Sequence, residues 1–327
     1  MTSTTPDRPE ISQALDAFRA DRVYLGADHR RNERRTWIVT AICAATLVAL
    51  VGGGAATRSM ALIANGVHMA AHVAALLVAS AAYGLARRHA GNPAFSFGTG
   101  KLGYLAGFAN GVVLAVTAIL IGAESVLRLL KPEAVDFTEA LPIAAGGLGV
   151  NLVCIWLLRP TGASAARNDP EGDLNLSAAY LHLSADAAMS VLALAAIVAG
   201  RQFGWSFADP LAGLLAAVLV ARFAWTLMRR SGAALLDVNP SAELTAEVRR
   251  RLSDAGERVI DLHLWRLGPG HHAVIAVIAA TDPQPAATYR ARLAGLAGLS
   301  HVTLEVRDGA QASGDSHHPG HGHHGHG

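Results

Sequence analysis

The chain has 327 residues, 52% of them hydrophobic and only 16% charged, whereas soluble domains carry about 25% charged residues. A formal net charge of +2 excludes nucleic acid as the main partner. The two cysteines, Cys43 and Cys154, lie in apolar runs and form no CxxC, which excludes a disulfide framework and reads as small buried hydrophobes.

Residues 1–35 are polar and charged, with no apolar h-region and no cleavage site, so they read as a cytoplasmic N-terminal segment. The first membrane helix then acts as the internal signal. Six apolar segments follow, each near the length of about 20 residues that a bilayer demands. They run approximately over Trp37–Gly54, Met60–Ala86, Leu102–Leu130, Ala140–Leu158, Leu176–Ala199 and Phe207–Met228. Residues 36–230 therefore read as a six-helix transmembrane domain. The second and third segments exceed the bilayer's need, so they tilt or extend into the cytosol. Glu124 and Arg128 stand at helical spacing near the end of the third and can pair.

The positive-inside rule orients these spans. Arg30, Arg31, Arg34, Arg35, Arg87, Arg88, Lys101, Arg159, Arg167, Arg229 and Arg230 fall on one side if both termini are cytoplasmic. The opposing loops hold fewer: Arg58, Arg128, Lys131 and Arg201. The expected location is the cell's inner membrane.

Residues 231–308 carry interspersed Arg, Asp and Glu. Their pattern predicts a helix (Ala242–Gly256), two strands (Val259–Leu267 and His272–Ala280), a helix (Ala286–Leu296) and a strand (Val302–Arg307), a small cytoplasmic α+β domain. Residues 309–327 are rich in Gly, His and Ser and are expected to be disordered. In them His317, His318, His321, His323, His324 and His326 form a glycine-spaced tract that binds divalent metals loosely. It would raise the ion's local concentration at the cytoplasmic mouth. The interspersed Gly and Pro favour a native tail over a purification tag.

Two pairs of ionisable residues interrupt the apolar segments: His68 with His72 in the second, and His182 with Asp186 in the fifth. Such side chains are costly in a bilayer and rare there without a task. A spacing of four puts each pair on one helix face. Ala- and Gly-rich surroundings let the two helices approach closely. Three imidazoles and one carboxylate make a tetrahedral site for a borderline divalent transition metal. Ligation needs neutral imidazole and ionised carboxylate, so binding releases protons and suits antiport. Two other readings remain open: haem held between the histidines in a membrane redox protein, and a metal sensor that transports nothing. With no GxxxxGK[ST] and no HExxH, neither ATP drive nor an intramembrane zinc protease is expected. The reading is a transporter and not an enzyme, with no permanent cofactor; its cargo is a divalent transition-metal cation and its counter-ion the proton.

From about Thr36 to Asp308 the chain resembles the cation diffusion facilitator family. Ser59-Met-Ala-Leu-Ile-Ala-Asn-Gly-Val-His68 looks like that family's second helix, and Ser96-Phe-Gly-Thr-Gly-Lys101 like its loop before the third. Glu124-Ser-Val-Leu-Arg-Leu129, Asp209-Pro-Leu-Ala-Gly213, Leu235-Leu-Asp237 and Asp261-Leu-His-Leu-Trp265 follow in the family's order. The resemblance implies a homodimer of six-helix protomers with a cytoplasmic domain of ferredoxin-like fold. It also implies metal/proton antiport through His68, His72, His182 and Asp186. Zinc members usually carry Asp at the position of His72. The histidine there, with Thr99 inside Phe97-Gly-Thr-Gly100, looks like the cobalt/nickel efflux branch. Asn65 stands where many members carry Asp, Thr99 where a histidine can bind a second ion, and Ile260 where the small domain often has His. His263, His271, His272 and His301 are the accessory metal candidates that remain in that domain.

Overall fold

The computed structural model describes residues 23–57, 60–131, 137–159, 173–203, 205, 207–253 and 256–309. The chain divides into two compact units, one holding the helices up to Leu236, the other most of the chain from Asp237 onward.

The first unit contains six long helices: α1 (His29–Thr57), α2 (Met60–Arg88), α3 (Leu102–Leu130), α4 (Phe137–Leu158), α5 (Leu174–Phe203) and α6 (Ala208–Leu235). Among the described residues five are long and apolar enough to cross a bilayer; α4, 22 residues with Pro142 inside it, is apolar from Ala140 onward. This is a multi-pass membrane domain. Large side chains such as Ile119, Leu130, Val218 and Trp225 are exposed on the outer faces of the helices, where lipid rather than water is the fitting solvent.

Several helices outrun their apolar segments. The first begins at His29, not at Trp37. Its charged first turns are held by an Arg31–Asp28 ion pair at 2.9 Å and by the Arg87 guanidinium, whose Nε and Nη2 donate to Glu33 at 3.0 and 3.1 Å. Hydropathy registers only the part of a helix that lipid must cover. α5 likewise starts at Leu174 because Asp173 caps it: Oδ1 accepts from the backbone N–H of Asn175 and Leu176 at 3.1 and 3.2 Å.

Close approach holds α3 to α6. Gly107-Phe-Ala-Asn-Gly111 puts two glycines one turn apart on one face of α3. A Cβ at Gly111 would stand 2.7 Å from Met228 Cγ, and one at Gly107 2.8 Å from Ser231 Oγ. α5 lies between two apolar cores. One joins Val39 and Cys43 of α1, Met69 and Leu76 of α2, Cys154 of α4 and Leu183 of α5. The other joins Leu114 of α3, Ala185 of α5, and Val220 and Leu227 of α6. Cys43 and Cys154 are buried free thiols with sulfurs 3.9 Å apart.

The second unit contains α7 (Ala242–Leu252), β1 (Glu257–Gly268), β2 (His271–Ala280), α8 (Ala286–Arg292) and β3 (Leu299–Asp308), with a sheet ordered β1-β2-β3. Pro269-Gly270 turns β1 into β2, Gly270 taking φ +74°. β2 and β3 are parallel, with Val274 opposite Val302 and Ile278 opposite Val306, and α8 lies in the crossover that a parallel pair requires. This mixed sheet fits a ferredoxin-like domain. α7 stops at Leu252, short of the Gly256 expected, and Gly256 itself takes φ +88°, outside the helical region. α8 ends at Arg292, short of the Leu296 expected, and Gly295 within that stretch takes φ +83°, outside the helical region. Val248, Leu252, Val259, Val274, Ile278 and Tyr289 form the core.

Candidate metal site

Ala75 and Ala79 of α2 and Ala178, Ala179 and Ala185 of α5 are buried. Their small side chains let these two helices carry polar groups into contact. His72, His182 and Asp186 are 4%, 5% and 5% exposed. His72 sits between the other two: its Nδ1 is 2.6 Å from His182 Nε2, and its Nε2 is 3.2 Å from Asp186 Oδ1. The imidazoles meet edge to face, with centroids 4.7 Å apart and planes at 81°. On the other side of the carboxylate, the Asn151 amide of α4 donates to Asp186 Oδ2.

Among the described residues no three metal-ligating side chains surround a common point, since His72 turns one nitrogen to His182 and the other to Asp186. The same nitrogens and oxygen are donors a borderline divalent cation uses. A cation at this place would replace those contacts. His68 belongs to α2, one turn before His72; its side chain lies outside the described residues.

A second polar cluster sets the register of these helices. Asp173 Oδ2 accepts from Asn32 Nδ2 of α1 at 2.9 Å and from the Tyr83 hydroxyl of α2. Asn175 Nδ2 of α5 donates to the carbonyl of Ala79 of α2 at 2.8 Å. Thr40 and Ser80 share a buried hydrogen bond of 3.0 Å between α1 and α2. Together these contacts tie α1, α2 and α5 in one axial register, and so fix His72 against His182.

The profile of the cation efflux transmembrane domain matches residues 36–236. The chain belongs to the cation efflux family, the cation diffusion facilitators. Cation efflux is that family's activity, and the six helices carrying the His72–His182–Asp186 contact are the part of the chain matched. Among its relatives is a cadmium, cobalt and zinc/H(+)-K(+) antiporter of Bacillus subtilis, 30% identical over 262 residues, covering 78% of this chain and 82% of that protein. The zinc transporter ZitB of Escherichia coli is 34% identical over 240 residues, 72% of this chain and 74% of its own. The metal cation efflux system protein CzcD of Cupriavidus metallidurans is 31% identical over 293 residues, 86% and 90% of the two chains.

The accessory histidines of this cation efflux protein are dispersed. His263 is exposed and pairs with Asp261 at 2.9 Å. His271 Nδ1 lies 2.7 Å from Ser300 Oγ, and His301 Nε2 lies 3.3 Å from Thr303 Oγ1. His272 is buried at the start of β2. Ile260 is half exposed on β1. Thr99 is buried and donates to the carbonyl of Ala86 at 2.7 Å, tying the loop before α3 to the end of α2. The tail histidines His317, His318, His321, His323, His324 and His326 lie outside the described residues, as do residues 1–22 and the side chain of Asn65. A separate cavity of about 400 Å³ opens between α3, α5 and α6 beside Glu124, Arg128 and Met189. Its lining includes none of His72, His182 and Asp186.

Sequence reasoning missed Asn151 and Asp173. Asn151 was legible by the argument that exposed the histidines, as a polar side chain inside the apolar run Leu148–Leu158. Asp173 had no such signal, since it stands just outside the fifth apolar segment.

Proposed function

We propose that this chain carries divalent transition-metal cations, cobalt or nickel with zinc as the third candidate, out of the cytoplasm in exchange for protons, through His68, His72, His182 and Asp186. Membership of the cation efflux family supports the cation over the haem reading. The observation that carries the site is the buried contact of His72 with both His182 and Asp186. Ionisable groups held together at bilayer depth are the expected mark of an ion pathway.

The chemistry supplies the coupling. A cation binds neutral imidazole and ionised carboxylate, so seating it expels protons, and protons returning from outside displace it. Rocking of the helix groups about this fixed site would expose it to each side in turn. The relatives' names carry zinc, cobalt and cadmium; nickel rests on the imidazole-rich ligand set alone. In the same reading both termini face the cytoplasm at the inner membrane, the C-terminal domain pairs two protomers, and the histidine tail gathers ions.

Proton-driven uptake of cobalt, nickel and zinc into inverted vesicles tests this. Flux should vanish in Asp186→Ala, and preference should move toward zinc in His72→Asp. Bound metal without flux in any variant would turn the reading to a sensor.

A further inference from the structure

We propose that Asn151 is a positioning residue that sets which cations the site accepts, by withholding one oxygen of Asp186 from them. This rests on the reading that Asp186 is a ligand.

Asn151 is 1% exposed and reaches Asp186 from α4, a helix that contributes neither histidine. Its Nδ2 donates to Oδ2, while the opposite oxygen, Oδ1, faces His72 Nε2 at 3.2 Å. The amide's orientation follows from chemistry, because its reversed form would set a carbonyl oxygen against a carboxylate. Asn151 Oδ1 meets no hydrogen-bond donor among the described residues. The side chain is therefore placed for its donor end, and that end is committed to Asp186.

A carboxylate with both oxygens open can bind an ion in bidentate fashion. With Oδ2 occupied, Asp186 offers only Oδ1 on the side of the two imidazoles. That holds the protein's contribution to a few short bonds, the low coordination number zinc adopts at about 2.0–2.2 Å from nitrogen and oxygen. Manganese favours octahedral, oxygen-rich surroundings. It would gain from a freed Oδ2 and from water admitted beside it. Partners that orient a ligand typically change metal affinity by about 10–100-fold.

The test is equilibrium binding of zinc and of manganese to the purified full chain, unmodified and with Asn151→Ala, Asn151→Leu and Asp186→Ala. Asn151→Leu keeps the side chain's bulk without the donor and adds no new oxygen ligand, so it serves if Asn151→Ala fails to fold. The expected result is a manganese-to-zinc affinity ratio that rises about tenfold or more in both Asn151 variants. Equal weakening of both metals, or no change, would overturn the proposal, since a purely structural role moves both together. Asp186→Ala should abolish the tight binding of both metals and leave only the loose binding of the histidine tail. If it binds zinc as the unmodified chain does, the site reading itself falls, a result distinct from an unchanged ratio in the Asn151 variants.

Discussion

His72 of α2 and His182 of α5 meet across the helix interface, Nδ1 to Nε2, at 2.6 Å. Two imidazoles this close act as one unit, because moving either ring breaks the other's hydrogen bond. Replacing either with alanine should therefore have similar effects. We expect His72→Ala and His182→Ala each to lower cobalt and zinc affinity by more than the roughly 10–100-fold typical of changes one shell further out. Equilibrium dialysis of the purified protein measures this. A variant that binds as the unmodified chain would remove that residue from the site.

Asp173 should matter more for holding the helices than for the ion. Its removal takes away the cap of α5, about 0.5–2 kcal/mol. It also strands the Tyr83 hydroxyl and the Asn32 amide, at about 1–3 kcal/mol for a buried unsatisfied group. Asp173→Ala should lower the unfolding temperature of the detergent-solubilised protein by several degrees. Asp173→Asn, which keeps acceptor oxygen for the cap, should lower it less.

The α3–α6 pair depends on close approach at Gly111, where a Cβ would stand 3.2 Å from the backbone nitrogen of Met228. Gly111→Leu should wedge these helices apart and cost more than the 1–3 kcal/mol typical of overpacking. Gly146 on α4 has nothing within 4 Å of its would-be Cβ. Gly146→Ala should stabilise by about 0.5–1 kcal/mol through helix propensity. Thermal unfolding of the two variants should therefore shift in opposite directions.

In the C-terminal unit Tyr289 is fully buried, its ring 5.0 Å from the Arg292 guanidinium, which also pairs with Glu257. Truncating a buried aromatic of this size costs about 3–5 kcal/mol. Limited proteolysis of the full chain should show faster cleavage within 257–309 in Tyr289→Ala. Tyr289→Phe, which keeps the ring in the core, should digest nearly as slowly as the unmodified chain.

The candidate site shows where reading by residue type stops. The bilayer penalty on charge singled out His72, His182 and Asp186 before any fold was known, and the four-residue spacing put His182 and Asp186 on one face. Neither the penalty nor the spacing says that His72 lies between the other two, or that Asn151, polar inside the apolar run of α4, turns its amide to Asp186. The accessory histidines show the converse. His271, His272 and His301 are close in the sequence or across the β2–β3 ladder, yet His271 turns to Ser300 and His301 to Thr303.

Sequence alone determined what solvent demands: how many apolar segments there are, which face of each must carry polar groups, and that a small α+β unit follows them. Those properties are local, since burial in lipid and helical periodicity act residue by residue. The tertiary structure decided where helices end, which strands pair and which ligands touch. Asp173 starts α5 by capping it and fixes its register through partners on α1 and α2, and Ser253 ends α7 by turning to extended backbone. Asp186 acquires its neighbours from two other helices. Such relations depend on residues far apart in the chain, and only packing brings them together.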